Sequence, residues 1–249
     1  MTKVFVHGNP ETAALWGPLV DVLAERGVDD VESLSPPGFG APVPDGFDTT
    51  MSSYVAWLIG ELESLDGPID IVGHDWGAGH VFGLLAERPD LVRSWAADVA
   101  GLLHEDYVWH DMAQVWQTAE VGEQMIEGMV SMPAAERAAM FAGMGITQDV
   151  ADALAAGVDE AMGACILALY RDAAQPAMAE LGSRVFAADT PPGLVITATE
   201  DGYVSTVLGA EVAKRVGADV LELEGLGHWW MTDDPAAAAD GLVAFWSGR

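Results

Sequence analysis

Short apolar runs alternate along this chain with stretches in which apolar residues return every three or four positions. Runs at Val4 to His7, Val31 to Leu34, Ile69 to Gly73, Val92 to Val99, Gly193 to Ala198 and Asp219 to Leu223 have the length and content of strands. Helical spacing covers roughly Glu11 to Arg26, Thr50 to Leu65, Ala78 to Glu87, Val204 to Val216 and Pro235 to Trp246. Strand and helix in alternation predict an α/β protein, a mainly parallel sheet wrapped by helices. Between about Gly101 and Thr190 the alternation stops, leaving several helical patterns and no strand run. That stretch reads as a helical cap over the C-terminal edge of the sheet, and Pro191-Pro192 marks the return to the core. The expected organisation is a first core part over 1–100, a cap over 101–190 and a second core part over 191–249. The methionines of the cap stretch, Met112, Met125, Met129, Met132, Met140, Met144 and Met162, read as ordinary helix packing.

Composition narrows the functional classes. The chain has 249 residues, enough for a sizeable core, and a net charge of −29 from 39 acidic against 10 basic residues. Such a field opposes nucleic acid and anionic membrane surfaces as partners. No apolar run reaches membrane-spanning length, and Met1 to His7 enters a strand pattern directly, so a soluble, cytoplasmic protein is expected. Cys165 is the sole cysteine, which excludes an intramolecular disulfide and a thiolate metal cluster. Lysine occurs only at Lys3 and Lys214, while alanine and glycine abound, a pattern that fits GC-rich codon usage better than adaptation to high salt. The same depletion makes Asn9, the only asparagine, conspicuous.

The sharpest local signal is Gly73-His74-Asp75-Trp76-Gly77, set between the run Ile69 to Val72 and a helix of small residues. Strand, tight turn with glycine two places either side of one reactive residue, then helix is the pattern of a nucleophile elbow. Here the presented side chain is a carboxylate. Attack by Asp75 on an acyl carbon would give a high-energy anhydride, whereas attack on a saturated carbon gives an ordinary ester. Downstream, Asp201 ends a buried run and His228 lies in Gly227-His228-Trp229 before the last helix, in the chain order nucleophile, acid, base. His228 oriented by Asp201 would activate the water that hydrolyses the ester. His7-Gly8-Asn9-Pro10 follows the first strand, and the N–H groups of Asn9 and Trp76 would form the oxyanion hole. No metal or organic cofactor is needed, and the expected partners are a small apolar substrate and water.

These motifs together resemble the α/β-hydrolase superfamily, in its aspartate-nucleophile branch of epoxide hydrolases and haloalkane dehalogenases. The resemblance rests on H-G-N-P at His7 to Pro10, G-H-D-W-G at Gly73 to Gly77, T-A-x-x-D at Thr197 to Asp201 and G-H-W at Gly227 to Trp229, and spans nearly the whole chain. It implies an α/β-hydrolase fold with a helical cap. Only six residues precede His7, so a sheet of about six strands is expected, without the two N-terminal strands usual in the family. Some relatives carry the acid after the strand before the cap, which makes Asp98 an alternative to Asp201. The expected register puts the acidic position one residue later, on Val99, so Asp201 is preferred.

The leaving group depends on the cap. An epoxide oxygen must receive a proton or strong hydrogen bond as the ring opens. Tyr170-Arg171 resembles the second cap tyrosine of epoxide hydrolases, and Val108-Trp109-His110 resembles a branch that pairs a cap histidine with tyrosine. His110 with Tyr170 is therefore the implied ring-opening pair, with Tyr107 as a fallback donor. A halide needs donors but no proton, and Asn9 with Trp76 matches the halide-binding pair of haloalkane dehalogenases. Fluoroacetate dehalogenases add arginines after the nucleophile, where this chain has Trp76 and Gly79. The leading expectation is an epoxide hydrolase. Haloalkane dehalogenase is the alternative, and a catalytically silent binding protein of the same fold is the third possibility.

Overall fold

The apolar runs become six parallel strands, β1 (Thr2–Val6), β2 (Val31–Leu34), β3 (Ile69–Gly73), β4 (Ser94–Ala97), β5 (Gly193–Ala198) and β6 (Asp219–Leu223), in the computed structural model, which describes residues 1–248. Their order is β2-β1-β3-β4-β5-β6, every neighbouring pair parallel. All residues of β3 and β4 are buried, because both lie mid-sheet with helices on either face, whereas edge strands β2 and β6 keep exposed positions. The core helices are α1 (Gly17–Glu25), α2 (Met51–Glu63), α3 (Trp76–Glu87), α10 (Thr206–Val216), α11 (Trp230–Asp233) and α12 (Pro235–Ser247). Their ends follow local chemistry. Thr50, Ser205 and Asp234 accept hydrogen bonds from the first turns of α2, α10 and α12, and left-handed Gly217 closes α10.

Two expected elements differ in extent. The helix expected over Glu11 to Arg26 divides into a 3-10 turn at Ala13–Trp16, capped by Thr12, and α1, whose first turn holds Pro18. Proline has no N–H to continue the preceding turn but suits a helix start. The strand expected over Val92 to Val99 is confined to Ser94–Ala97, because Val99 takes φ 43°, a left-handed conformation that a β-branched residue seldom adopts and that ends the extended run.

Between β4 and β5 the described residues form α4 (Asp111–Gln117), α5 (Val121–Ser131), α6 (Ala134–Gly143), α7 (Gln148–Gly157), α8 (Glu160–Asp172) and α9 (Ala177–Ala187), without a strand. Helices α4, α5 and α8 pack on one another, and α6 on α7, while α9 lies against core helix α3. No single helix among the described residues is long and apolar enough to cross a membrane.

The two ends of the sheet carry different chemistry. At the N-terminal end, fully buried Asp70 accepts from Arg93 Nε at 2.9 Å and Nη2 at 2.6 Å and pairs with Lys3, fastening β1, β3 and β4 together. All the candidate site residues from the core gather at the opposite, C-terminal end, where ligands bind in open parallel sheets.

Helix α3 approaches that end very closely. A Cβ on Gly77 would stand 2.0 Å from the carbonyl oxygen of Val6, and one on Gly73 would stand 2.7 Å from Ala78 Cα. Both contacts are to backbone, so relief requires moving β1 or α3. Gly77→Ala is expected to lower the free energy of urea unfolding by about 2 kcal/mol or more through overpacking. Gly60→Ala in α2, where an added Cβ meets nothing within 4 Å, should raise it by about 0.5–1 kcal/mol. A Gly77→Ala protein as stable as its parent would contradict the close approach.

Candidate active site

Asp75 stands at the junction of β3 and α3 with φ 50° and ψ −121°, a conformation costly for any residue but glycine. The surrounding hydrogen bonds hold it there. Asp98, at the end of β4, accepts from the Asp75 backbone N–H at 3.0 Å through Oδ1, and through Oδ2 from Trp230 Nε1 at 2.8 Å and from His74 Nδ1. The other face of His74 meets Glu11, Nε2 to Oε1 at 3.3 Å, and Glu11 also accepts from the Gly8 N–H at 3.2 Å and Trp229 Nε1 at 2.7 Å. His74, Asp98 and Glu11 are all buried. Burial alone would lower the His74 pKa, but the charges and hydrogen bonds of Asp98 and Glu11 override it and hold the value well above that of an ordinary histidine. Burial would likewise raise Glu11, yet His74 pulls it down to about 2. His74 is thus an imidazolium between two carboxylates. This arrangement removes Asp98 from consideration as the partner of His228.

His228 takes Asp201 instead. Its Nδ1 lies 2.8 Å from Asp201 Oδ2, and its Nε2 faces Asp75 Oδ1 at 3.8 Å. The other Asp201 oxygen accepts from the N–H groups of Tyr203 at 2.7 Å and Val204 at 3.4 Å, which fixes the carboxylate plane. Burial opposes charge on Asp201, but the His228 charge and hydrogen bond with the Tyr203 N–H keep its pKa below the usual value. Burial would lower His228, while Asp201 raises it above an ordinary histidine. Asp75 is pushed upward by burial, against the pull of His228.

The two oxygens of Asp75 have different surroundings. Oδ2 accepts from the backbone N–H of Asn9 at 3.0 Å and from Asn9 Nδ2 at 3.4 Å, whereas Oδ1 faces His228. Gly8 makes this proximity possible, since a Cβ there would stand 2.1 Å from Asp75 Oδ2 and 2.5 Å from the Trp76 nitrogen. The Asn9 N–H donates to the Asp75 carboxylate, and the Trp76 backbone nitrogen lies beside Gly8.

From α8, Tyr170 brings its hydroxyl oxygen to within 3.3 Å of Asn9 Nδ2, which donates to it. Burial and the Asp75 charge hold the phenol pKa well above the tyrosine value, against hydrogen bonds from Asn9 and Trp76, so the phenol keeps its proton. The Trp76 indole packs edge-on to Tyr170 at 5.4 Å and stacks near Trp109 at 5.9 Å, and it does not line the large cavity. His110 caps α4, with Nδ1 accepting from the Ala113 N–H at 3.3 Å. Burial lowers its pKa to about 4, so the ring is neutral near pH 7 and Nε2 carries its hydrogen. Tyr107, the fallback donor, is buried with no hydrogen-bond partner for its hydroxyl among the described residues, and it borders a small recess beside Asp75 together with His110 and Tyr170.

A cavity of about 610 Å³ opens from Asp75, Asn9, His110, Tyr170 and His228 toward the helices α4 to α6. Six of the seven cap methionines expected to serve as helix packing line it, Met162 alone being a core residue. The reason is positional, since the six lie at 3–4 residue spacing on helix faces turned toward the cavity, and nothing in their spacing distinguishes a cavity wall from a core. No lysine or arginine lines the cavity. Glu11, His74 and His228 are close enough to hold a metal ion. Both ring nitrogens of His74 are already engaged with carboxylates and the ring is protonated, so a metal would have to displace that proton.

Sequence inspection did not identify Glu11, His74 or Tyr203 as parts of the site. Glu11 directly follows His7-Gly8-Asn9-Pro10 and His74 is inside the elbow, so their positions in the motifs were the available signal. Tyr203 packs its ring 4.7 Å from His228 and 5.0 Å from His110 and had no such marker beyond lying two residues after Asp201.

Known proteins corroborate this architecture. Residues 4–240 match the model of the Alpha/beta hydrolase family. The chain is 31% identical over 94 residues to an (E)-2-((N-methylformamido)methylene)succinate hydrolase of Acinetobacter baylyi, covering 37% of this chain and 35% of the relative. It is 28% identical over 126 residues to a haloalkane dehalogenase of Mesorhizobium japonicum, covering 48% of this chain and 38% of the relative. The match thus spans little more than a third of each curated relative. Among solved structures, a haloalkane dehalogenase of Bradyrhizobium elkani superposes with a TM-score of 0.75 at 22% identity over 100% of this chain and 91% of that one. An E-2-(acetamidomethylene)succinate hydrolase superposes with 0.71 at 18% identity over 99% and 91%. At these identities the likeness is one of fold. Six parallel strands, the elbow after β3 and the family match over residues 4–240 agree: this chain belongs to the alpha/beta hydrolase family.

Proposed function

We propose that this protein is a hydrolase that opens epoxides through a covalent ester on Asp75. The observation that carries the reading is the Tyr170 hydroxyl, a protonated buried phenol held by Asn9 across from the nucleophile. Asp75 Oδ1 attacks a ring carbon, the C–O bond breaks, and the departing oxygen takes the Tyr170 proton. The neutral His110 Nε2–H adds a hydrogen bond. His228 then removes a proton from water, and the hydroxide attacks Asp75 Cγ. The oxyanion on Oδ2 is held by the Asn9 and Trp76 N–H groups. Collapse releases the diol oxygen, which takes the proton from His228. The freed Asp75 carboxyl returns a proton to the Tyr170 phenolate as it ionises. Asp201 keeps His228 oriented throughout, and the reaction uses only side chains and water.

A second reading, haloalkane dehalogenase, is supported by the named relatives and by Asn9. It requires a halide between Asn9 Nδ2 and the Trp76 indole. That space favours it less, because the Tyr170 phenol already takes the Asn9 Nδ2 hydrogen bond and packs edge-on against the Trp76 indole. A catalytically silent binding protein is disfavoured by a cavity that reaches Asp75 and His228, with His228 paired to Asp201.

His228→Gln should accumulate an alkyl ester on Asp75, visible as a mass adduct after incubation with epoxides or bromoalkanes. No adduct across a broad panel of both would contradict the aspartyl-ester route. With both substrate types offered to Tyr170→Phe, diol release should fall by a factor of about 10² or more, while any bromide release is retained. Equal loss of both, or of neither, would remove the ring-opening role from Tyr170.

A further inference from the structure

One helix of the cap supplies a continuous wall to the cavity. Val121, Gln124, Met125, Gly128, Met129 and Met132 line it, at the 3–4 residue spacing of a single face of α5 and the residue just after it. Eleven residues of helical rise make this face about 16 Å long. Asp75 lines the same cavity. Of the lining residues, Met112, Val121, Met125 and Met144 are 40–47% exposed, four of the eight exposed large apolar side chains among the described residues. Such concentration at the mouth of a cavity marks surface that a bound apolar group covers. Methionine walls are unbranched and polarisable, and close around a flexible chain without fixing its path. No cation lines the cavity, and Glu120, Glu123 and Glu127 on the outer side of α5 are exposed, so a carboxylate or phosphate has no counter-charge there.

We infer that the substrate is an uncharged molecule whose reactive carbon meets Asp75 and whose extended apolar chain, of about a dozen carbons at the ~1.2 Å per bond of an extended chain, lies along α5. The inference rests on the ester-forming reading only for the position of the reactive carbon. The chain-binding wall itself is independent of the leaving group.

Gly128 supplies the test. An added Cβ there meets nothing within 4 Å, and leucine is a better helix former than glycine, so Gly128→Leu keeps the fold while its side chain enters the channel. Binding of unreactive primary alcohols of six to fourteen carbons to the parent enzyme, followed by calorimetry, requires no chemistry. Affinity should rise roughly three- to fourfold per methylene up to about twelve carbons and then level off. Gly128→Leu, confirmed folded by its thermal transition, should weaken dodecanol by about tenfold or more and hexanol by less than about threefold. In turnover, the ratio of kcat/KM for a twelve-carbon over a four-carbon terminal epoxide or bromide should fall by a similar factor. Affinity flat in chain length, cyclododecanol binding as tightly as dodecanol, or Gly128→Leu leaving dodecanol unaffected would overturn the inference. Alcohol binding that follows the predicted series, with no Asp75 adduct from any substrate, would instead leave the channel standing and remove the reaction.

Discussion

A carboxylate buried beneath the elbow carries the organisation of this site. Asp75 occupies a backbone conformation that costs on the order of 1–3 kcal/mol, and such strain persists only where surrounding contacts over-determine it. Asp98 supplies those contacts, binding the Asp75 N–H, His74 and Trp230 at once. Glu11 completes the arrangement from the β1 side, joining His74 to Gly8 and Trp229. One imidazolium between two carboxylates thus ties the loop after β1, the elbow after β3, the end of β4 and the segment carrying His228. Removing one member of such a buried group leaves an uncompensated charge, which makes the group costly to break and keeps the geometry in register.

That register places three separate functions around one carboxyl group. Asn9 N–H fixes Oδ2, leaving Oδ1 as the free oxygen facing His228. Asp201 raises the basicity of His228 and sets its ring nitrogen toward Asp75. The cap adds Tyr170 and His110, set in a wall that is apolar apart from Gln124. The negative field of the whole protein and the absence of lining cations agree in disfavouring anions.

The core could be read from the chain because its signals are local. The buried strand β3 is apolar apart from Asp70, and the elbow glycines are required where backbone meets backbone within van der Waals distance. Asp75, Asp201 and His228 each follow a strand, and parallel topology brings strand ends together. The role of Asp98 was not legible in the same way. One residue of register in β4 decides where its side chain points, and the left-handed turn at Val99 that settles the matter comes from tertiary packing rather than from any preference of valine. The cap was legible only as a set of helices. Spacing of Met125, Met129 and Met132 reports an apolar face, and whether that face meets another helix or an open cavity depends on the helix opposite, which no local pattern encodes.

The claim on which the rest turns is that oxygen enters the product from Asp75 and is replaced there by water. A single turnover in heavy-oxygen water, with enzyme in excess over an epoxide or haloalkane, reads this directly. The account predicts that the new hydroxyl of the product carries ordinary oxygen and that the peptide containing Asp75 gains the heavy isotope. Heavy oxygen in the product after that first turnover, with the Asp75 peptide unlabelled, would mean that water attacks the substrate itself and would contradict the account.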